Sequence, residues 1–404
     1  MRIRTAEPNG LVAAFLLAFL ATAGLFYVNI MQALVVGLAD GLHIGSSRAG
    51  QIGAANTYGA ALGALIGVFL VPRVPWRSSA WILLPTLIGI DLACMGLTSA
   101  GVLVAIRFVH GMVGGLLVAI TYSVMGRVRD ADRAFGVLLI VQYGIGGLGD
   151  MLLPGLVPRW GVQVLFLTLA GFSMVTLLML PFLAAYPVPA KSAADVERAP
   201  LRPRALLLGA VLSALFLFQA ANMGLSAYAI GLGRAAGLSL PFSSAIVGLA
   251  SWFGVGGAVL VAILSTRFGR TAPLAIAFVV TLAATWLFHY SGRALIFVLA
   301  NFISSIIWAF VVPYLFGLCA QLDARGYAAV KAGFASKMGL ASGIAAGAQI
   351  LARRSDYSGL IDSAMIALLA AALASMVAAA LTDRMVRGPG LRAGTAAPDT
   401  LRAV

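Results

Sequence analysis

The sequence predicts an all-α polytopic membrane protein with twelve transmembrane helices, arranged as two pseudo-symmetric six-helix bundles. Hydrophobic residues make up 61% of the 404 positions and charged residues 10%, and the mean hydropathy is +1.01. These values lie far outside the range of soluble globular proteins. Apolar runs of about 20 residues, the length needed to cross a bilayer, occur twelve times. The longest polar stretch divides them six and six.

The first apolar run follows a short tail at 1–10 and is much longer than a signal-peptide core, so we interpret it as a spanning helix. A polar linker at 187–204 separates an N-terminal bundle at 11–186 from a C-terminal bundle at 205–382. The stretch 383–404 is rich in Gly, Ala, Pro and Arg and is predicted to be a disordered tail. The predicted spans are 11–39, 50–72, 79–98, 101–126, 134–157, 162–186, 205–231, 244–266, 271–291, 294–318, 329–352 and 358–382.

Basic residues predict the orientation of the chain. Nineteen Lys and Arg residues fall in the connections and tails of one side and six in those of the other, while Arg107 and Lys337 lie inside spans; together these are all 27. The positive-inside rule then places both termini in the cytoplasm, in a cell membrane of the bacterial inner-membrane type. Because the net charge of +14 is spread over short loops, a lipid bilayer and not nucleic acid is the expected partner.

The sequence argues against several functional classes. Cys94 and Cys319 lie within or at the end of apolar runs and are expected to act as small hydrophobic residues. The loops contain no nucleotide-binding loop, metal-ligand cluster or catalytic triad, and they are too short to hold an enzymatic domain. We therefore expect no enzymatic activity, no cofactor and no metal, and we do not expect transport driven by ATP.

Charged side chains inside the spans form the first candidate site. Asp91 and Arg107 lie eight residues on either side of Ser99, in the break between spans 3 and 4, so both are about 10–12 Å from the same helix ends and can meet. Such residues commonly pair and mark a substrate or ion path, and the alternative is a structural ion pair that fixes helix packing. Asp150 in span 5 is expected at a similar depth, so that one arginine faces two carboxylates.

Proton coupling is assigned to Asp91, Asp150 and His110. A buried carboxylate without a full partner takes up a proton readily, whereas one held by arginine stays ionised. His110 lies one turn from Arg107 and is of the residue type that titrates near neutral pH; the alternative is a neutral, hydrogen-bonded side chain. Sodium coupling is less favoured, because no broken helix with converging carbonyls and acids is evident.

Polar side chains also collect at corresponding places in spans 1, 4, 7 and 10. Singly, each is as compatible with an interhelical hydrogen bond as with a ligand contact, but together they predict the lining of one cavity. Lys337 in span 11 either extends to the membrane surface or forms a cationic seat for an anionic substrate. The predicted substrate-binding residues are Tyr27, Asn29, Gln32, Arg107, Gln219, Asn222, Asn301, Trp308 and Lys337.

Glycines are concentrated in spans 2, 5, 8 and 11, which are matching positions in the two bundles. Small residues at four-residue spacing let helix backbones approach closely, so we expect these spans to form the surfaces on which the bundles rock. The clearest repeats are Gly59, Gly63 and Gly67 in span 2 and Gly339, Gly343 and Gly347 in span 11.

From Leu11 to Thr382 the chain resembles the major facilitator superfamily of secondary transporters. The family pattern Arg-x-x-Gln-Gly-x-Gly is similar to span 4, with His in place of Gln, in the segment Arg107-Phe-Val-His110-Gly111-Met-Val-Gly114-Gly115. The loop after span 8 keeps an Arg-x-Gly-Arg ending at Arg267–Arg270, although this loop and the one after span 2 lack the family's Asp. Span 5 lacks the Gly-Pro ending of the antiporter signature, so export is not indicated by motif.

The resemblance implies that helices 1, 4, 7 and 10 line the cavity and that helices 2, 5, 8 and 11 form the moving interface. Some organic-anion carriers of the superfamily use a lysine in helix 11, which would correspond to Lys337. We therefore predict a monomeric, proton-coupled transporter that moves a small organic solute, anionic or zwitterionic, by alternating access. The alternatives are a drug/proton antiporter for neutral or cationic compounds and a non-transporting receptor or assembly factor on the same fold.

Overall fold

A computed structural model describes residues 5–71, 73–129, 131–186, 202–264, 269–322, 328–354 and 356–387. The described residues are helices joined by short connections and contain no strand. Most of the predicted linker and most of the predicted C-terminal tail lie outside the described residues. The last helix continues to Arg387, so the first residues of the stretch predicted to be disordered are helical.

Each of the twelve predicted spans contains a helix in its described residues, and two of these helices are broken into two segments. In chain order the helices are α1a (Leu11–Asn29), α1b (Met31–Gly41), α2 (Gly45–Leu70), α3 (Trp76–Cys94), α4 (Ala100–Met125), α5 (Ala131–Trp160), α6 (Gln163–Met179), α7a (Arg202–Ser226), α7b (Ala229–Ala235), α8 (Leu240–Leu264), α9 (Thr271–Leu287), α10 (Ala294–Leu322), α11 (Ala328–Arg353) and α12 (Ser358–Arg387). Single 3₁₀ turns at Leu180–Phe182 and Phe288–Tyr290 extend α6 and α9.

Among the described residues, eleven helices are long and apolar enough to cross a membrane. The twelfth span is α11, which is less apolar because it carries Lys337 together with several Gly and Ser residues. Twelve crossings bring the start of α1a and the end of α12 to the same side of the molecule, which we call the terminal face. The opposite side, where α1b and α7b end, is the distal face.

Each half has its own packing, and a few helices join the halves. In the N-terminal half α4 packs against α1a, α2 and α3, and in the C-terminal half α7a packs against α10, α11 and α12. The halves meet mainly through α2 against α11 and α5 against α8. This arrangement confirms two six-helix bundles that share an interface formed by the predicted helices.

The glycine repeats of α2 and α11 face helices of their own halves. A Cβ atom at Gly59 or Gly63 would collide with backbone atoms of α4, and one at Gly339 or Gly343 would collide with backbone atoms of α7a. These glycines therefore hold helices together within a half, whereas α2 and α11 meet between the halves through other residues. That the interface is the surface on which the halves rock stays a prediction. Helices α5 and α8 do cross between the halves at glycines, where Gly147 lies against Gly248.

The breaks in α1 and α7 lie at corresponding positions of the two halves. Ile30 (φ −112°, ψ 28°) separates α1a from α1b, and Tyr228 (φ −112°, ψ 7°) precedes α7b. A break exposes backbone N–H groups at the start of the second segment, and these need acceptors because a membrane interior supplies none. Neither break was evident in the sequence, because neither position holds a Pro.

Candidate functional site

The predicted pairing of Asp91 with Arg107 is confirmed. Helix α3 ends at Cys94 and α4 begins at Ala100, so the short connection turns the chain back and places both side chains at the same depth. Arg107 Nη1 donates to Asp91 Oδ1 at 2.7 Å, and both residues are fully buried. The pairing offsets part of the cost of burying either charge alone.

Two aromatic rings of the N-terminal half enclose the Arg107 guanidinium. Its Cζ atom lies 4.7 Å from the ring centroid of Phe166 in α6 and 5.3 Å from that of Tyr27 in α1a. Arg107 and Tyr27 are therefore inside one bundle and do not line the space between the halves. This position fits the structural alternative, an ion pair that fixes the packing of α3 and α4.

His110 joins the same cluster and links it to α2. Its Nε2 atom lies 3.3 Å from Asp91 Oδ1, and its Nδ1 atom lies 2.8 Å from Nδ2 of Asn56. The Asn56 amide also donates to the carbonyl of Arg107 at 3.1 Å, which fixes its nitrogen toward the cluster. Because an amide nitrogen only donates, His110 Nδ1 is the acceptor in this contact.

Asp150 does not join this cluster, contrary to the expectation that Arg107 faces two carboxylates. Its Oδ1 atom accepts a hydrogen bond of 3.0 Å from the backbone N–H of Ala33, in the first turn of α1b. The residue is fully buried, and its Oδ2 atom has no hydrogen-bond partner among the described residues. Asp150 is therefore bound to the break in α1 and not to the Arg107 ion pair.

Gln219 is the centre of a hydrogen-bonded chain in the C-terminal half. Trp308 Nε1 donates to Gln219 Oε1 at 2.6 Å, and Gln219 Nε2 donates to Ser336 Oγ at 2.6 Å. The chain joins α10, α7a and α11 and places Ser336 next to Lys337. The hydrogen bonds thus join two predicted binding residues, Gln219 and Trp308, to Ser336, which is the sequence neighbour of a third, Lys337.

A small polar cavity lies beside this chain. Asn222 and Asn301 donate their amide groups to the preceding helical turn, at 2.9 and 2.8 Å, which leaves their amide oxygens available. With Ser304 and Trp308 they line a cavity of about 30 Å³ between α7a, α9, α10 and α12. A cavity of this size holds one or two water molecules, or one polar group of a larger ligand.

Lys337 lies on the interior face of α11. Ala341 and Ile344, which follow on the same helical face, are fully buried, whereas Ala346 and Gln349 on the opposite face are exposed. At 1.5 Å per residue, Lys337 is about 13 Å from the terminal end of the helix, too deep for its ammonium group to reach the surface easily. Within the described part of the chain, no residue forms a hydrogen bond or ion pair with Lys337.

The remaining predicted residues lie near the contacts between the halves. Gln32 Nε2, in α1b, donates to Ser226 Oγ of α7a at 2.6 Å. Asn29 is partly buried at the α1 break, where its carbonyl faces Gly146 of α5, and its Nδ2 atom has no partner among the described residues.

Contacts between the halves extend from the middle of the molecule to the distal face. Beyond Gln32–Ser226, polar contacts between described residues of the two halves pair Asp40 with Arg234, Ser46 with Tyr357, Tyr58 with Ser342, and Trp252 with the carbonyl of Gly144. The Tyr357 hydroxyl lies near Asp40 and Arg234, and burial raises the pKa of this tyrosine above its ordinary value. The halves are therefore closed together on the distal side.

Sequence reasoning did not assign to the site several residues that make polar contacts within or between the halves. Asn56, Ser226, Ser336 and Ser342 are small polar residues in apolar runs, and that signal was available for all of them. Asp40 and Arg234 occupy corresponding ends of spans 1 and 7, which the repeat of the two halves could have shown.

The fold and these contacts define a multi-pass helical membrane protein built from two six-helix bundles around polar inner helices. The chain belongs to the Major Facilitator Superfamily, whose family model matches residues 12–348. No curated protein sequence matches the chain.

Solved transporter structures share the fold over nearly their whole length. The nucleoside transporter NupG gives a TM-score of 0.67 at 13% identity and covers 93% of this chain and 99% of its own. A POT family transporter in complex with 5-aminolevulinic acid gives 0.69 at 13% identity, with 94% and 99% covered. A bacterial homologue of the human lysosomal transporter Spinster, inward-facing and unoccupied, gives 0.63 at 13% identity, with 93% and 97% covered. At these identities the likeness concerns the fold alone.

Proposed function

We propose that the protein is a secondary active transporter that moves a small anionic or zwitterionic organic solute by alternating access. The observation that carries the proposal is Lys337, a cation on the interior face of α11 without a partner among the described residues. Membership of a transporter superfamily supports the general class. The proposal includes no enzymatic step.

The distribution of carboxylates supports an anionic group on the substrate. Between 205 and 382 the sequence contains three acidic residues, Asp323, Asp356 and Asp362. Asp356 precedes α12 and Asp362 lies near its start, whereas Asp323 lies outside the described residues. Asp362 is paired with His289 at 3.1 Å. In the other half Arg107 is already neutralised by Asp91, so Lys337 is the basic group left to bind a carboxylate.

Neighbouring groups suggest how the rest of the solute is held. Trp308 is partly exposed and its ring is held in place by the hydrogen bond to Gln219. Asn222, Asn301 and Ser304 offer uncharged polar atoms to the small cavity. A solute that places its carboxylate at Lys337 and a neutral polar or planar part toward Trp308 would bind to both side chains.

The proposal is tested by binding of a solute panel, followed by one substitution. We expect carboxylates or zwitterions to raise the Tm of the purified protein, and we expect Lys337→Ala to weaken their binding by about tenfold to a hundredfold, the usual range for a charged hydrogen bond. Lys331→Ala, at an exposed position of the same helix, is the matched control and should bind normally. Lys337→Arg should bind better than Lys337→Ala.

Three results would contradict the proposal. Equal affinity of Lys337→Ala and wild type for an anionic ligand would remove Lys337 from the binding site. Stabilisation by neutral or cationic compounds alone would favour the drug/proton antiporter. Purified protein that moves no member of the panel in liposomes, under either a pH gradient or a membrane potential, would favour a receptor or assembly factor.

We also propose that transport is coupled to protons through Asp150, with Asp91 and His110 as the other candidates. Buried acids in transporter spans commonly serve as proton carriers. Asp150 is fully buried without a basic partner among the described residues, whereas Asp91 is held by Arg107. In liposomes, Asp150→Asn should abolish substrate-driven pH changes while substrate binding persists, and Asp91→Asn is measured beside it. If both variants still move protons, the site lies elsewhere and His110→Gln is the next variant.

The proposed setting is a bacterial-type inner membrane with both termini in the cytoplasm and the chain acting as a monomer. The excess of Lys and Arg on the terminal face supports this orientation. In intact cells, a membrane-impermeant thiol reagent should label Arg48→Cys on the distal face and leave Lys331→Cys unlabelled. The reverse pattern would invert the topology.

A further inference from the structure

The segment α1b connects the two halves at the distal face. Gln32, near its start, is hydrogen-bonded to Ser226, and Asp40, near its end, is paired with Arg234; both partners belong to the C-terminal half. The other side of α1b packs on its own half, where Gly37 lies against Leu165. Two of the polar contacts that close the distal face therefore depend on where α1b is held.

The start of α1b has no cap of its own. The residue at the N-cap position is Ile30, whose side chain cannot accept a hydrogen bond, and no side-chain cap is formed there. The N–H of Ala33, the third residue of the segment, belongs to the first turn, which has no acceptor within the helix. Asp150 of α5 supplies that acceptor at 3.0 Å, across a sequence separation of 117 residues.

The surroundings of Asp150 are shaped for this contact. Gly146 and Gly149, on the preceding turn of α5, face Asn29 and Ile30 so closely that an added Cβ would lie 2.9 Å or less from atoms at the break. The two glycines thus let α5 approach the point where α1 is broken.

The corresponding break in the C-terminal half is held differently. Tyr228, which precedes α7b, donates its hydroxyl hydrogen to the carbonyl of Ile344 at 2.8 Å. The tyrosine lies against Gly50 of α2. A carboxylate therefore caps a broken helix in the N-terminal half, whereas a tyrosine positions the break in the other half.

We use the term distal gate for the contacts of Gln32 with Ser226 and of Asp40 with Arg234. We propose that Asp150 is a positioning residue for the distal gate, because by capping α1b it holds Gln32 and Asp40 where they can bind the C-terminal half. The inference rests on the proposed alternating-access function, because only a transporter must open and close this face. It assigns Asp150 a role distinct from proton transfer, namely setting the fraction of molecules that are closed on the distal side.

The two roles are separable by substitution. Asparagine is as good a cap as aspartate, because its amide oxygen can accept the same hydrogen bond, but it does not carry a proton. Asp150→Asn should therefore keep the gate closed even if it abolishes proton coupling. Asp150→Leu removes the acceptor and should open the gate, with the open fraction raised about fivefold, the typical effect of losing one helix cap.

The gate is measured as the distance between spin labels at Arg48→Cys and Ala235→Cys, which are exposed on the distal sides of the two halves. Cys94 and Cys319 are buried and are replaced by serine or alanine in the background. We expect the same distance distribution for wild type and Asp150→Asn, and a larger population of long distances for Asp150→Leu. The measurement needs neither substrate nor a proton gradient, so a failure of the proposed transport function does not decide it.

A rescue variant keeps the test decisive if Asp150→Leu alone folds poorly. Ile30→Ser places a capping side chain at the N-cap position of α1b and should restore both folding and the closed distances in the Asp150→Leu background. The inference is overturned if Asp150→Leu has the wild-type distances, if Asp150→Asn opens the gate as much as Asp150→Leu does, or if Ile30→Ser restores nothing.

Discussion

At the scale of single residues, Arg107 shows how this chain accommodates a buried charge. Asp91 neutralises it at 2.7 Å, and the rings of Phe166 and Tyr27 cover its faces. Nε and Nη2 of Arg107 have no hydrogen-bond partner among the described residues, so the ion pair and the aromatic contacts provide most of the compensation. The stability of the fold around Arg107 therefore depends strongly on Asp91.

Removing the carboxylate should be costly for this reason. We predict that Asp91→Asn destabilises the protein by about 3–5 kcal/mol, the usual cost of leaving a buried charge without its partner. The double variant Asp91→Asn with Arg107→Gln should recover part of the loss, because no charge remains buried. Thermal unfolding in detergent measures both.

The exposed pair of Asp362 with His289 provides a control for that measurement. Asp362→Asn should change stability by less than about 1 kcal/mol, since exposed ion pairs contribute little. A small and equal effect of Asp91→Asn and Asp362→Asn would show that the buried pair is not important for folding.

At the scale of helices, α2 and α4 are held together by backbone contacts that only glycine allows. Gly111 and Gly115 of α4 face the carbonyls of Asn56 and Ala60 in α2, and Gly59 faces the carbonyl of Phe108. Such close approach strengthens van der Waals packing and fixes Asn56 beside His110. The close packing of α2 on α4 thus positions Asn56 beside His110 in the cluster that includes Asp91 and Arg107.

An added methyl group should separate these two helices. Gly111→Ala is predicted to destabilise the protein by about 1–3 kcal/mol through overpacking against the Asn56 carbonyl. Gly101→Ala, on the same helix but with no atom within 4 Å of the added Cβ, should be neutral or slightly stabilising. Similar Tm values for the two variants would contradict this account of the interface.

At the scale of the whole molecule, the two halves are in contact from the middle to the distal face. Gly147 and Gly248 lie at the crossing of α5 and α8, and Gln32–Ser226 and Asp40–Arg234 lie farther toward that face. Opening the distal side requires these contacts to break together. The balance between open and closed states should therefore respond to any one of them.

Gly248→Ala is predicted to shift this balance toward the open state. Its Cβ would lie 2.8 Å from Met151 Cβ, so α5 and α8 would have to move apart. Spin labels at Arg48→Cys and Ala235→Cys should then show a several-fold larger population of long distances, as one lost packing contact of about 1–3 kcal/mol implies. Gly256→Ala, with no neighbour within 4 Å of the added Cβ, is the control and should leave the distance distribution unchanged.

The sequence by itself determined the class of fold, the number of spans and the pairing of Asp91 with Arg107. Length and hydropathy decide whether a segment crosses a membrane, because the cost of exposing polar groups to lipid applies to each helix separately. Residues equally distant from one tight connection must also lie at the same depth, so the Asp91–Arg107 pair followed from spacing. These properties are local to one helix or one hairpin.

Only the tertiary structure showed which neighbouring helices each residue faces. Lipid and protein interiors are equally apolar, so hydropathy could not show that the α2 and α11 glycines pack within a half or that Arg107 lies inside a bundle. Neither could it show that Lys337 faces the interior. The break at Ile30 is likewise stabilised by an acceptor from α5 that is 117 residues away, a contact that exists only once the helices have packed.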